Sequence, residues 1–201
     1  MKNKLITNLI MLSFLIIIIL TLSENTNTKA NRPFNKNFIS DSVEKILEEN
    51  KSKIKDPILS EIYENCFPNT LDTTVEYDEK KEDTFIITGD ITAMWLRDSS
   101  FQTFPYVKYA KSDEKLKKMF SFLLQRQSKS ILIDAYANAF NKDEFNSPWQ
   151  SDETYKLENG KRIPAMNKKI WERKFELDSL ISTLFISSEY VRSTNDYTIF
   201  G

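Results

Sequence analysis

The stretch "ITGDITAMWLRDSSFQ", residues 87–102, brings a tryptophan, an arginine and an aspartate together just after a Gly-Asp pair. Gly89 and Asp90 favour a turn or a helix start, and the segment from Met94 to Ala110 is predicted to be helical, with Pro105 able to kink it or end it early. The chain has only three glycines and three tryptophans, and it places one of each here. This grouping of side chains suggests either a ligand site or a structural cluster.

Trp95, Arg97 and Asp98 offer the kinds of group that a sugar site needs. Trp95 presents a flat apolar ring to the C–H face of a sugar, Arg97 offers a fork of donors, and Asp98 offers acceptors. Adjacent residues on a helix point about 100° apart, so Arg97 and Asp98 converge on one ligand only at a helix start or a turn. The alternative is a structural tryptophan beside an Arg–Asp ion pair.

The composition limits the chemistry that the chain can perform. Its 201 residues are 40% hydrophobic and 28% charged, which fits one globular domain rather than a disordered chain. A net charge of −1 does not favour nucleic acid as a partner. Histidine is absent and Cys66 is the only cysteine, so no internal disulfide and no thiolate metal cluster can form. Acid–base chemistry then falls to carboxylates, tyrosine or lysine, and we predict no metal, no cofactor and a buried Cys66.

The first thirty residues predict entry into the secretory pathway. Lys2 and Lys4 precede the apolar run from Leu9 to Leu22, and a polar segment follows. This is the pattern of a signal peptide, and the apolar run is shorter than the ~20 residues that span a bilayer. An uncleaved signal anchor is the alternative, and it would be the chain's only contact with a membrane. Residues 31–39 are then predicted to be a linker, and residues 40–201 one domain.

The remaining pattern indicates a mostly α protein. Helical spacing begins near Ser40, restarts at Asp56-Pro57, recurs over Glu114–Ser128 and ends with a helix over Trp171–Arg192. Two β-branched runs around a charged tip predict a small β-hairpin within residues 73–88. A second hairpin is predicted at "KLENGKRI", inside a long loop over residues 141–169. The core stripe of the last helix is predicted to be Leu177, Leu180, Ile181, Leu184 and Phe185.

The motif "DAYANAFN", residues 134–141, alternates polar residues with alanine. In an extended conformation this alternation puts Asp134, Tyr136 and Asn138 on one face, as in the wall of a binding site. Tight packing through the alanines is the alternative.

The motif "WERKFELDSL", residues 171–180, carries five charged residues, which form three pairs at helical spacing. On a helix, Glu172 and Glu176 share one face, where Arg173 can pair with Glu176, while Lys174 and Asp178 share another. A salt-bridged surface helix is the alternative. Paired carboxylates in a chain without histidine are, however, the groups that a glycosidase uses.

Taken in order, these motifs resemble the amino-terminal part of glycoside hydrolase family 125. "IYENCFPNTLDTTVEY", which precedes them, also resembles that family. Its members are exo-acting, metal-independent α-mannosidases that remove terminal α-1,6-linked mannose with inversion. The resemblance implies a partial (α/α)6 barrel and a carbohydrate partner. It also implies a site for the terminal mannose, with residues from all three motifs: Trp95, Arg97, Asp98, Tyr136, Asn138, Glu172 and Asp178.

The resemblance further implies that the chain is incomplete. The family's enzymes are more than twice as long, and their general acid and base lie further along the chain. We therefore expect a truncated fragment with no catalytic residue of its own, in which the apolar stripes of residues 116–124 and 177–185 are partly bare. A non-catalytic mannose-binding pseudoenzyme module is one alternative. A membrane-anchored structural or interaction protein is another.

Overall fold

The computed structural model describes residues 31–145 and 155–200 of the chain. Every helix and strand of the described residues lies within Arg32–Gly201, which forms one compact unit. The predicted signal segment, residues 1–30, lies outside the described residues. Within those residues, no helix is both long enough and apolar enough to cross a membrane.

Six α-helices dominate the regular structure of the described ranges. They are α1 Asp41–Lys51, α2 Pro57–Cys66, α3 Asn69–Thr73, α4 Leu96–Val107, α5 Glu114–Ile133 and α6 Leu177–Thr194. The strands are short, namely β1 Val75–Asp78, β2 Asp83–Ile86, β3 Met94–Trp95, β4 Ala139–Phe140, β5 Tyr155–Glu158, β6 Lys161–Pro164 and β7 Ile170–Glu172. The prediction of a mostly α chain is confirmed.

Side-chain caps fix where the helices begin. The Ser40 hydroxyl accepts a hydrogen bond from the Val43 N–H, which satisfies a donor that the first turn of α1 leaves free. Asp56 caps α2 in the same way, and Pro57 occupies the first helical position, where its missing N–H costs nothing. Both starts are as predicted. Residues 31–39 are irregular, but Phe38 is buried and donates its N–H to the Leu71 carbonyl at 3.0 Å, which ties this segment to the domain.

Both predicted hairpins are present. Strands β1 and β2 pair in antiparallel fashion from Val75–Ile86 to Asp78–Asp83, within residues 73–88. Strands β5 and β6 pair around a two-residue turn, Asn159-Gly160. The φ angles of those residues are 52° and 73°, as a type I′ turn requires. The long loop around the second hairpin is confirmed only in part, because residues 146–154 lie outside the described residues.

The main core forms where α5 packs on the first hairpin. The apolar stripe of α5 is fully buried, together with Phe85 and Ile86 of β2. The stripe consists of Leu116, Met119, Phe120, Leu123 and Leu124. Each such side chain stabilises the fold by about 1.5–3 kcal/mol relative to an exposed position. The expectation that residues 116–124 would be partly bare is therefore wrong.

Helix α6 differs from its prediction in both its start and its buried face. It begins at Leu177 rather than Trp171, because residues 170–172 form β7. Three members of the predicted core stripe, Leu177, Ile181 and Leu184, are exposed to 59%, 53% and 71%. The buried residues are instead Ser179, Ser182, Thr183, Ile186 and Tyr190.

The buried face of α6 consists mainly of small hydroxyl residues because α6 packs along α4. The buried face of α4 also carries such residues, including Ser99, Ser100 and Thr103. Their hydroxyls, like those of Ser182 and Thr183, bond to carbonyls of their own helices. Small side chains with satisfied hydroxyls allow two helices to approach closely without burying an unpaired polar group. Hydrophobicity alone therefore identified the wrong face.

Cys66 is exposed, so the prediction that it is a small buried residue is wrong. It lies at the end of α2, whose apolar residues Ile58, Leu59 and Ile62 are exposed as well. Nothing among the described residues covers that face of α2, which explains the exposure of all four side chains.

Candidate functional site

The three sequence motifs meet in one small antiparallel sheet. Its strand order is β3-β4-β7, so the strand from "DAYANAFN" lies between those from the other two motifs. Met94 and Trp95 therefore precede the helix that was predicted to begin at Met94, and helix α4 starts at Leu96. Residues 170–172 are likewise a strand and not a helix. Residues 94–95 and 170–172 are strands instead of helix because each pairs with β4, a distant segment of the chain.

The register of this sheet aligns Trp95, Ala139 and Glu172. Trp95 is the partner of Ala139 on one side, and Glu172 is its partner on the other. Directly paired residues point to the same face of a sheet, so all three side chains share one face. Ala139 contributes only a methyl group between the indole of Trp95 and the carboxylate of Glu172. The neighbouring row, Met94, Phe140 and Ile170, is buried in the core.

Glu172 is held as a carboxylate by surrounding donors. Its Oε2 accepts from the Asn138 Nδ2 at 2.8 Å, and its Oε1 accepts from the Lys174 Nζ at 2.8 Å. Burial opposes ionisation of Glu172, but the hydrogen bonds from Lys174 and Asn138 outweigh it and lower the pKa of Glu172 below its ordinary value. The site therefore presents an ionised acceptor beside the indole of Trp95.

Asn138 is buried and forms hydrogen bonds to the other two motifs of the sheet. Its backbone N–H donates to the Glu172 carbonyl at 3.2 Å, and its own carbonyl accepts from the Leu96 N–H at 3.1 Å. Its side-chain Oδ1 accepts from the Lys174 N–H at 3.2 Å, while Nδ2 bonds to Glu172. One residue thus connects the start of α4 to the segment that follows β7.

Arg97, at the start of α4, contacts three carboxylates. Its Nη1 lies 3.0 Å from Asp178 Oδ2 and 3.3 Å from Glu176 Oε2, and its Nη2 lies 3.5 Å from Asp98 Oδ2. The hydrogen bond to Asp178 raises the pKa of Arg97, and the same bond lowers the pKa of Asp178. Because α4 begins at Leu96, Arg97 and Asp98 occupy its first turn, the position where adjacent side chains can converge.

The central motif does not present its polar residues on one face, as an extended strand would. A turn closes from the Ala137 N–H to the Asp134 carbonyl at 3.1 Å, so the segment before β4 is not extended. Asn138 is buried, whereas Tyr136 is exposed and contacts Phe175. That expectation was wrong because it required a strand over residues 134–138.

The predicted ion pairs of the third motif are replaced by others. Arg173 pairs with Asp134 at 2.7 Å instead of Glu176, and Lys174 pairs with Glu172 instead of Asp178. Glu176, which contacts Arg97 and accepts from the Ser179 hydroxyl at 2.9 Å, was not predicted as a site residue. Glu176 directly precedes Leu177, the first residue of α6, and acidic residues are common at helix starts, so the sequence could have indicated that Glu176 lies at the N-terminus of this helix. Among the described residues, no three His, Cys, Asp or Glu side chains are grouped so that they could hold a metal ion.

The sequence profile of a family described as metal-independent alpha-mannosidase (GH125) matches residues 56–201. The chain belongs to this family. The match covers all three motifs of the small sheet, and it confirms the resemblance to glycoside hydrolase family 125.

Two relatives place this GH125 chain among longer proteins. The "Meiotically up-regulated gene 157 protein" of Schizosaccharomyces pombe is 40% identical over 172 residues, which cover 81% of this chain and 32% of the relative. A solved structure of a metal-independent α-mannosidase from Streptococcus pneumoniae, in a non-productive complex with α-1,6-mannobiose, is 35% identical. It superposes with a TM-score of 0.69 over 82% of this chain and 37% of its own. The chain thus spans about a third of the length of either relative.

Proposed function

We propose that this chain supplies the amino-terminal, sugar-binding part of an exo-acting glycosidase domain that hydrolyses terminal α-1,6-linked mannose with inversion. The observation that carries the proposal is the register Trp95–Ala139–Glu172, which sets an aromatic ring beside an ionised acceptor on one sheet face. Membership of GH125 supports the reaction class. The S. pneumoniae relative was solved in complex with α-1,6-mannobiose, which supports the substrate.

In this proposal each side chain has a separate task on the mannosyl ring. Trp95 packs against its C–H face, and Glu172 accepts hydrogen bonds from its hydroxyls. Arg97 donates hydrogen bonds, while Asp98 and Asp178 accept them. Asn138 holds Glu172 in position, and Tyr136 extends the site on its exposed side. Charged acceptors and donors form stronger hydrogen bonds than neutral groups, which suits a site that must grip several hydroxyls.

Neither Glu172 nor Asp178 suits the role of general acid. A glycosidase acid must hold its proton near neutral pH, which requires a raised pKa. The pKa values of Glu172 and Asp178 are instead lowered by their hydrogen-bond donors. We therefore assign the acid to the part of the family's domain that this chain does not span, and we propose that the base lies there as well. In the same proposal the described helices form one portion of an (α/α)6 barrel.

The N-terminal sequence adds a proposal on location. The basic start and the apolar run over residues 9–22 favour entry into the secretory pathway, where glycans with terminal mannose occur. Membrane contact would come only through this segment if it remains uncleaved.

The decisive experiment measures both binding and turnover with EDTA present throughout. Calorimetry on the 201-residue chain should detect α-1,6-mannobiose, with binding lost in Arg97→Ala. A chain that carries the whole domain, with residues 56–201 as its amino-terminal part, should release mannose from the same disaccharide. Proton NMR of the first product should show the β anomer, because inversion changes the anomeric configuration. Release of the α anomer would contradict inversion, and no release would contradict hydrolysis.

The second candidate is a non-catalytic mannose-binding module. The observation in its favour is that Asp98, Glu176 and Asp178 all contact Arg97, so each of these carboxylates is engaged in an ion pair. This candidate predicts that the whole-domain chain binds the disaccharide, loses binding on Arg97→Ala and never releases mannose.

A further inference from the structure

Two exposed aromatic rings, those of Tyr136 and Phe175, come from the chain segments that build the proposed mannose site, and neither is part of the buried core. Tyr136 and Phe175 are exposed to 58% and 59%, yet their ring centroids lie only 5.5 Å apart, with 47° between the ring planes. Exposed aromatic side chains that pack on each other form a contiguous apolar surface in water. Such a surface suits a ligand with its own flat apolar face.

The ion pair between Asp134 and Arg173 restrains these two rings. Asp134 Oδ1 accepts from the Tyr136 N–H at 2.8 Å, and Asp134 Oδ2 accepts from the Arg173 Nε at 2.7 Å. The guanidinium carbon of Arg173 in turn lies 5.5 Å from the centre of the Tyr136 ring. Arg173 and Phe175 therefore both contact Tyr136, and Asp134 fixes Arg173 and the Tyr136 backbone. Rings restrained in this way lose less conformational entropy when a ligand binds.

The position of the pair follows from the residues that flank it in sequence. Tyr136 lies two residues before Asn138, which bonds to Glu172, and its Cα can be at most about 7 Å from that of Asn138. Phe175 lies three residues after Glu172 and directly before Glu176, which contacts Arg97. The rings therefore border the site on the side of the chain segments that contain Asn138, Glu172 and Glu176. That is within reach of a sugar linked to the bound mannose.

We infer that Tyr136 and Phe175 form a platform for the second sugar ring, the one to which the terminal mannose is linked. This inference rests on the proposed function of the site. It assigns a binding role to Phe175, and it moves Tyr136 from the terminal mannose to its neighbour. An apolar platform contacts the C–H face of that second ring and leaves its hydroxyls in water, so it favours a linked saccharide over a single sugar.

The test compares two ligands on the 201-residue chain by calorimetry, methyl α-mannoside and α-1,6-mannobiose. Phe175→Ala and Tyr136→Ala should each weaken mannobiose binding about three- to tenfold, the range expected for one aromatic contact, and Phe175→Ala should leave the affinity for methyl α-mannoside unchanged. Phe175→Tyr should retain the affinity of the unmodified chain because it keeps the ring. Tyr197→Ala and Phe200→Ala remove comparably exposed rings, at 63% and 67%, and should change neither affinity.

The outcomes separate this inference from the proposed function. If both ligands bind and Phe175→Ala changes neither affinity, or weakens both equally, the platform is overturned while the mannose site stands. If the unmodified chain binds neither ligand, the proposed function fails, and the platform fails with it. Far-UV circular dichroism and thermal unfolding of each variant exclude loss of the fold as the cause of weaker binding.

Discussion

Asn138 donates its side-chain amide to the carboxylate of Glu172 at 2.8 Å, and it bonds through its backbone to the same residue. The two residues come from different motifs, 34 positions apart in the chain. Because Asn138 is buried, its four polar contacts cannot be replaced by bulk water when one is removed. The position of the Glu172 carboxylate therefore depends on a residue that has no surface of its own to offer a ligand.

Asn138→Ala is expected to lower the free energy of unfolding by about 1–3 kcal/mol, since it removes one donor of the Glu172 carboxylate and the side-chain acceptor of the Lys174 N–H. Urea denaturation followed by circular dichroism measures this change. Asn65→Ala is the matched control, because the Asn65 amide donates to a carbonyl of its own helix, at Glu61. We expect its cost to stay within about 0.5 kcal/mol. Equal effects of the two substitutions would contradict the role assigned to Asn138.

Glu172 is expected to stabilise the fold in a pH-dependent manner. Its folded pKa lies below the ordinary value of 4.5, because donation from Lys174 and Asn138 outweighs burial. The stabilisation is thus complete above the ordinary pKa, and it is lost as pH falls through the lowered folded pKa. The difference in unfolding free energy between the unmodified chain and Glu172→Gln should be constant from pH 7 to about pH 5 and shrink at lower pH. A difference that grows on acidification would reverse the sign of the predicted shift.

Arg97→Ala is expected to raise the pKa of Asp178 toward its ordinary value. The largest contribution to the lowered pKa of Asp178 is the hydrogen bond from Arg97, and removing it also leaves Asp98 and Glu176 as repelling neighbours. Carboxyl carbon NMR titration of Asp178 measures the change. Arg192→Ala, which removes an arginine paired with Glu189 elsewhere on α6, should leave this titration unchanged. An unchanged Asp178 in Arg97→Ala would show that the ion pair does not form in solution.

Two isoleucines on α6 test which face of that helix is buried. Ile186 is fully buried and Ile181 is 53% exposed, although the hydrophobic pattern predicts Ile181 as part of the core. Ile186→Ala should therefore cost about 2–5 kcal/mol of unfolding free energy. Ile181→Ala should cost no more than about 0.5 kcal/mol. Urea denaturation of both variants provides the comparison, and a larger loss for Ile181→Ala would refute the packing of α6 on α4.

The sequence was sufficient where local chemistry determines the structure. Helices begin at Ser40 and Asp56 because a side-chain oxygen of each accepts hydrogen bonds from nearby N–H groups. Asn159 and Gly160 form a turn because both residues tolerate a positive φ angle. The stripe of α5 was also predictable, since its spacing and its hydrophobicity agree. These features need no information from distant parts of the chain.

The sequence was not sufficient where distant segments decide the structure. "WERKFELDSL" has charges at helical spacing, yet residues 170–172 pair with β4 and become a strand. Nothing local favours that outcome, because the pairing partner is about thirty residues away in the chain. The buried face of α6 was missed for a related reason, since small hydroxyl residues look polar in sequence and pack closely only when another such face is opposite. The motifs that form the site were identified, but the contacts among their residues were not.

The methyl group of Ala139 lies between the side chains of Trp95 and Glu172, the residues paired with it on either side. A branched residue there would add bulk between the indole and the carboxylate, because all three side chains share one sheet face. The position carries no charge, no donor and no acceptor in its side chain. Its contribution is its small size, which leaves room on this face for the two larger side chains that a ligand would contact.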